Sequence, residues 1–111
     1  MITKNEIAIQ IALGTVSTPQ QIAQLVRHTT DIDALEWAIK YKNTKVRAAA
    51  IKNDALPVGL LLYSCTFETS KTARKVLEDI IYKRQGEVER VLHIIRHYPQ
   101  LSMDLNNEST P

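Results

Sequence analysis

The sequence has little cysteine, glycine, proline or aromatic residue, and each shortage excludes a class of protein. Cys65 is the single cysteine among 111 residues, so neither an intrachain disulfide nor a zinc or iron–sulfur site built from cysteines is available. Three glycines and four prolines supply few of the turns that a β-sheet requires. The composition therefore favours helices, a reducing compartment and a protein without a cofactor.

Long apolar runs and a strong net charge are also missing. The longest apolar run, Val58–Leu62, is far shorter than the roughly 18 residues that cross a bilayer. No charged segment followed by an apolar segment begins the chain, so we expect a cytoplasmic protein that does not contact a membrane. The formal net charge of +2 is too small to indicate nucleic-acid binding by itself.

Helical periodicity is the dominant positive signal. Thr18 followed by Pro19 and Gln21 is a typical helix start, and Gly14 is a suitable left-handed helix stop. Ala73, Val76, Leu77, Ile80 and Ile81 form the most regular apolar stripe. We predict an all-α domain of six to seven helices over residues 1–101. Residues 102–111, rich in Asn, Asp, Glu and Ser, are predicted to form a flexible tail.

The centre of the chain, Val46–Leu62, predicts how these helices are arranged. A helix of small residues, starting at a Thr44 cap, is followed by a polar break at Asn53-Asp54 and by a second apolar helix after Pro57. Two short helices joined by a tight corner cannot bury both of their faces alone, so each pair needs similar neighbours. Gly86 is predicted to separate the last two helices. These features indicate a stack of helical repeats with the central helix inside.

Two segments carry a family resemblance. Thr18–Leu25, followed by Asp31–Leu35, and Val46–Asn53, followed by Leu56-Pro57, resemble the units of HEAT-like and leucine-rich-repeat-variant proteins, with Thr72–Leu77 as a weaker third unit. The resemblance covers residues 18–80 and implies a short right-handed HEAT-like stack of about three helix pairs. It also implies a concave face that binds proteins or nucleic acid. Pro19 and Pro57 are 38 residues apart, whereas the second helices of the two units start closer together, so the predicted repeat is irregular.

The same pattern assigns a structural role to one arginine. In proteins of this kind the arginine at the position of Arg47 braces an acidic residue of a neighbouring turn. The resemblance therefore implies that Arg47 pairs with Asp31 or Asp33.

Catalytic and metal-binding motifs are missing from the sequence. It has no glycine-rich phosphate loop, no G-x-S-x-G elbow and no H-E-x-x-H motif, so we expect no enzyme activity. Glu89, His93 and His97 share one helix face, but Arg90 and Arg96 flank them and would repel a cation, so no metal site is predicted. Cys65 lies in an apolar helix and is expected to be a buried, unreactive thiol.

The candidate partner-binding residues lie between positions 37 and 52. Trp37 and Tyr41 are four residues apart, and they either pack against the next repeat or form an aromatic anchor for a partner. Lys45 and Lys52 are predicted to share one helix edge. Three interpretations of the cationic residues remain open: a solvated corner, a nucleic-acid site, or a site for an acidic protein. The predicted partner-binding set is Trp37, Tyr41, Lys40, Lys42, Lys45 and Lys52.

We therefore expect a non-catalytic binding module, such as a small adaptor, regulator or inhibitor, that recognises a protein partner. Its small size also suits a protein encoded by a phage or mobile element. The alternative is a helical protein that binds nucleic acid through the basic corner Lys40–Lys52. Apolar end faces of so short a stack would also allow a homodimer.

Overall fold

The computed structural model describes residues 1–98; the last three residues of the predicted domain and the predicted tail at 102–111 lie outside this range. Seven helices follow one another without a strand in these residues, so the predicted all-α fold is confirmed. They are α1 (Lys4–Ala12), α2 (Pro19–His28), α3 (Ile32–Ile39), α4 (Thr44–Lys52), α5 (Val58–Phe67), α6 (Lys71–Lys83) and α7 (Gln85–His97).

Local side-chain hydrogen bonds begin several of these helices. The Thr18 hydroxyl accepts from the backbone N–H of Gln21, and the side-chain oxygen of Gln21 accepts from the backbone N–H of Thr18. This reciprocal cap of α2 was predicted. At α4 the predicted cap is wrong: the carboxamide oxygen of Asn43 accepts from the N–H of Lys45 at 2.9 Å. Thr44 is instead the first helical residue, and its hydroxyl accepts from Arg47.

The ends of the helices show one confirmed and one wrong prediction about glycine. Gly14 follows Leu13, the C-cap residue of α1, and has a φ of 77°, in the left-handed region that was predicted for it. Gly86 does not separate the last two helices, because it is the second residue of α7. Arg84 alone joins α6 to α7, and its side chain holds this corner by donating to the carbonyl oxygen of Leu56 at 2.6 Å and to Glu87 at 2.7 Å.

The helices alternate between two layers. Helices α2, α4 and α6 lie side by side in one layer, and α1, α3, α5 and α7 lie side by side in the other. Helix α4 is the middle helix of its layer, since it contacts α2 and α6 on its flanks and α3 behind it. The prediction that it is a buried inner helix is wrong for its outer face, where Lys45 and Lys52 are exposed. Large apolar side chains fill the space between the layers; Val26, Leu35, Val46, Leu56 and Leu61 are fully buried. Each such side chain contributes roughly 1.5–3 kcal/mol through burial.

Hydrogen bonds between successive units show the spacing of the stack. The Asn53 amide donates to the carbonyl oxygens of Val26 and Thr29, which lie 27 and 24 residues earlier. The Asp31 carboxylate accepts from the N–H of Lys4, again 27 residues away. Pro19 begins α2 in one layer, whereas Pro57 precedes α5 in the other, so the distance between these two prolines does not measure the spacing of the stack.

Arg47 has the structural role that the resemblance implies, but with another partner. Its guanidinium group binds Glu68, just after α5, at 2.9 Å and 3.1 Å, rather than Asp31 or Asp33. It also donates to the carbonyl oxygen of Tyr41. Arg47 therefore joins the start of α4 to the end of α5.

Candidate functional site

A groove of about 490 Å³ opens on the outer surface of the layer formed by α2, α4 and α6. We call it the basic groove and define it by its lining residues: Gln20, Ala23, Gln24, Arg27 and His28 of α2, Thr44, Lys45, Ala48, Ala49 and Lys52 of α4, and Thr72 and Val76 of α6. Three neighbouring helices therefore contribute to one concavity. Its volume is sufficient for several side chains of a bound molecule.

Small apolar side chains form the floor of the basic groove. Ala23 comes from α2, Ala48 and Ala49 from α4, and Val76 from α6. All four side chains are short, and three of them consist of a single methyl group. The floor is therefore apolar and only partly covered, which is the kind of surface that gains free energy when a partner removes it from water.

All three formally charged residues of the basic groove are positive. Arg27 lies in the last turn of α2. In α4, Lys45 lies in the first turn and Lys52 lies in the last turn. All three are exposed, and none forms an ion pair with another of residues 1–98. Their charges thus add to a positive potential that favours anionic groups.

Four groove residues lie on a single stripe of α4. Lys45, Ala48, Ala49 and Lys52 follow the spacing i, i+3, i+4, i+7, which places them on one face of the helix. The prediction that Lys45 and Lys52 share one helix edge is confirmed. The helical rise separates their Cα positions by about 10.5 Å along the axis. The stripe therefore presents two cations with an apolar surface between them.

The other four predicted partner-binding residues lie elsewhere. Trp37, Lys40, Tyr41 and Lys42 line a second pocket of about 420 Å³, together with Lys4, Asp33 and Glu36; we call it the α1–α3 pocket. Lys40 and Lys42 therefore do not join Lys45 in one pocket, although all three lie near the corner between α3 and α4. The structure brings Lys45 and Lys52 together and places the remaining four residues in a separate group.

The α1–α3 pocket differs from the basic groove in its charges and in its aromatic residues. Its cations are accompanied by Asp33 and Glu36, and the Lys40 ammonium lies 3.5 Å from the Glu36 carboxylate. The rings of Trp37 and Tyr41 are 4.9 Å apart between centroids, and both are half-buried against the core. This packing favours the first of the two sequence-based interpretations, in which these rings contact the neighbouring unit of the fold.

The partner-binding set predicted from the sequence does not include the groove residues of α2 and α6. Arg27 supplies a groove cation from α2, and Thr72 and Val76 line the groove from α6. The helical periodicity of α2 does place Gln20, Gln24 and Arg27 on its polar side, which is the only signal in the sequence. Their proximity to Lys45 follows from the contact between α2 and α4, which local patterns do not reveal.

The apolar side chains exposed on α1 and α7 bear on the predicted homodimer. Ile9 of α1 and Leu13 directly after it are exposed, and Ile94 and Ile95 are exposed on α7. These helices are the first and last of the described stack. Association of two copies through such faces stays a prediction, which light scattering at two concentrations would test.

His93, His97 and Cys65 are the side chains that the sequence offers for metal binding or nucleophilic chemistry. The rings of His93 and His97 are 4.0 Å apart between centroids, but residues 1–98 contain no cluster of three potential metal ligands. Cys65 is half-buried rather than fully buried, and its burial raises the pKa of the thiol while the charge of Arg74 opposes this change. A smaller thiolate fraction makes the sulfur a weaker nucleophile at neutral pH.

In the part of the chain that the structure describes, every helix is too short or too polar to cross a membrane. Comparisons of the chain with known protein families, with curated proteins and with solved structures find no match.

Proposed function

We propose that the protein is a non-catalytic binding module that recognises a protein partner through the basic groove. One observation supports this proposal above all: an apolar floor is flanked by cations that have no carboxylate partner among the described residues. Protein interfaces combine these two features, an apolar centre that contributes affinity and charges at its edge that orient the partner. The resemblance to HEAT-like proteins, which implies a binding face, agrees with this assignment.

The proposed mechanism is occupation of a preformed surface. Helices α2, α4 and α6 are held by the core behind them, so the groove does not need to form when a partner arrives. A preformed site avoids part of the ordering entropy of association. An adaptor, a regulator or an inhibitor would each act in this way, by bridging, altering or covering a surface of its partner.

The alternative function is nucleic-acid binding, and the uniform sign of the groove charges favours it. Arg27, Lys45 and Lys52 would then contact phosphates. Each such contact lowers the logarithm of the binding constant by about 0.7–0.9 for each tenfold rise in salt. Three contacts predict a steep slope of about −2 to −3, whereas a protein held by the apolar floor should respond much less to salt.

Affinity purification from lysate of the source cells tests this proposal. The wild-type protein would be compared with the variant Lys45→Glu/Lys52→Glu, before and after nuclease treatment, and the captured protein would then be titrated in purified form. We expect one protein that resists nuclease and binds the groove variant at least about tenfold more weakly, because both groove cations of α4 become anions.

The matched control is Lys40→Glu/Lys42→Glu, which makes the same change of net charge at the α1–α3 pocket. We expect it to bind the partner as the wild type does. Loss of the partner in this control but not in the groove variant would contradict the proposed site. Material that disappears after nuclease treatment would support the nucleic-acid alternative.

A further inference from the structure

We infer that the partner presents an amphipathic α-helix with two acidic residues seven positions apart. Two apolar residues lie between these acids, at the third and fourth positions after the first one. This helix lies along α4 in the basic groove. The inference rests on the proposed function and adds the chemistry and the conformation of the segment that is bound.

The spacing of the α4 stripe is the first argument. Lys45 and Lys52 are seven residues apart, and Ala48 and Ala49 lie between them on the same face. A partner helix aligned with α4 has the same rise for each residue, so its own positions i and i+7 are also about 10.5 Å apart. Acids at these two positions thus face both lysines at once, and positions i+3 and i+4 face the two alanines.

An extended segment fits the same stripe poorly. About 10.5 Å corresponds to three residues of a β-strand, and residues three apart in a strand point to opposite faces. Two acids three residues apart in an extended peptide therefore cannot both face α4. Residues two or four apart do share a face, but their separations of about 7 Å and 13 Å match the lysines less well.

The groove floor is the second argument, and it favours a helix over a phosphate backbone. Ala48 and Ala49 offer no hydrogen-bond donor from their side chains and no charge, so phosphates would gain nothing from them. Two helices that meet through small residues approach at the short end of the usual 8–10 Å interaxial range, where apolar side chains of the partner reach the floor. A helix thus uses both the charged and the apolar parts of the groove.

Arg27 adds a third cation, from the neighbouring helix α2. It lies on the α2 side of the groove, whereas the α6 side, lined by Thr72 and Val76, has no charge. The side of the partner helix that faces α2 therefore favours a further acidic or polar residue. The side that faces α6 favours an apolar residue or a threonine.

Selection from a displayed peptide library tests the inference. The library consists of alanine-rich helical peptides of about 18 residues, long enough for appreciable helicity, in which positions i, i+3, i+4 and i+7 are randomised. We expect selection on the wild-type protein to enrich Asp or Glu at i and i+7 and apolar residues at i+3 and i+4. The selected peptides should bind Lys45→Glu/Lys52→Glu at least about tenfold more weakly and Lys40→Glu/Lys42→Glu without change.

Charge exchange supplies a stricter measurement on the same peptides. A selected peptide remade with Lys at i and i+7 should regain binding to Lys45→Glu/Lys52→Glu and lose binding to the wild type. A helix-breaking proline placed between the two acids should abolish binding, because it removes the helical register. Ala48→Trp, which fills the floor without altering charge, should also abolish it, provided that circular dichroism shows an unchanged helical content.

Failure of the inference can be told apart from failure of the proposed function. Selection of no peptide, or of peptides without the two acids, would overturn the inference. If the lysate partner nevertheless depends on Lys45 and Lys52, the groove remains a protein-binding site for another kind of segment. If a random-sequence DNA oligonucleotide binds the groove with a steep salt dependence and the peptides do not, the nucleic-acid alternative replaces both.

Discussion

Arg47 and Arg74 occupy equivalent positions in α4 and α6. The Nη1 atom of each donates to the carbonyl oxygen six residues earlier, which belongs to Tyr41 for Arg47 and to Glu68 for Arg74, at 2.8 Å in both cases. Glu68 thereby receives both arginines, since its carboxylate binds Arg47 and its carbonyl oxygen accepts from Arg74. This residue connects two successive units of the stack, and its side chain is only 4% exposed.

Removal of the Glu68 carboxylate should destabilise the fold. We expect Glu68→Ala to lower the free energy of unfolding by about 3 kcal/mol, because it leaves the largely buried guanidinium of Arg47 without its counter-charge. Urea unfolding measures this difference. The control Asp79→Ala breaks the exposed pair with Lys75 and should cost about 0.3–0.5 kcal/mol. Equal effects of the two substitutions would contradict the bracing role of Glu68.

The same carboxylate should make stability depend on pH. Burial raises the pKa of Glu68, but hydrogen bonds from Arg47 and the N–H of Ser70, together with the charge of Arg47, lower it overall. The unfolded chain then binds the proton more readily, so the stabilisation is complete above the ordinary glutamate pKa of about 4.3 and is lost as pH falls through the lowered value. Urea midpoints between pH 7 and pH 3 should fall less steeply for Glu68→Gln than for the wild type. Identical profiles would contradict this attribution.

Asn53 should be intolerant of substitution. Its buried amide donates to the carbonyl oxygens of Val26 at 2.8 Å and Thr29 at 2.7 Å, and its oxygen accepts from the N–H of Ala55. We expect Asn53→Ala to cost about 2–3 kcal/mol, since it leaves buried acceptors unpaired. Asn53→Asp should cost at least as much, because a carboxylate would face these carbonyl oxygens. Thermal unfolding checks both variants, and a change below about 1 kcal/mol would contradict this role.

Two glycines should respond to alanine in opposite directions. Gly14 has a φ of 77°, so Gly14→Ala should lower the free energy of unfolding by about 1–2 kcal/mol. Gly86 lies inside α7 with open space around its Cβ position, so Gly86→Ala should raise it by about 0.5–1 kcal/mol. Thermal unfolding of the two variants measures both changes. A stabilising Gly14→Ala would mean that this turn does not require the left-handed conformation.

Trp37 should matter for stability rather than for binding in the groove. Its ring is half-buried against the core and contacts Tyr41, so we expect Trp37→Ala to cost about 2–3 kcal/mol. Partner affinity, measured by titration well below the melting temperature, should stay unchanged. Phe67→Ala is the control, since this ring is 62% exposed and its removal should cost much less. A loss of affinity in Trp37→Ala would place the partner at the α1–α3 pocket.

Much of the secondary structure was predictable because its causes are local. The Thr18 cap and Gly14 stop act within one helical turn, and the apolar stripe of α6 can be recognised from spacing alone. The predicted sharing of one helix edge by Lys45 and Lys52 is local for the same reason. Errors arose where two residues compete for one local role, as Asn43 and Thr44 do at the start of α4. The error about Gly86 has another cause. The corner between α6 and α7 is held by a distant contact, the hydrogen bond from Arg84 to the Leu56 carbonyl oxygen, and does not need a glycine.

The grouping of the candidate site was decided by tertiary structure. The sequence places Lys40, Lys42 and Lys45 within six residues, yet the first two line the α1–α3 pocket and the third lines the basic groove. The layer to which each helix belongs depends on contacts between residues that are about 24 to 28 positions apart, such as Asn53 with Thr29 and Arg84 with Leu56. By itself, the sequence determined that the chain forms short amphipathic helices, because periodicity and capping act over a few residues. Only the packing of α2 and α6 against α4 decided that Arg27, Lys45 and Lys52 surround one apolar floor.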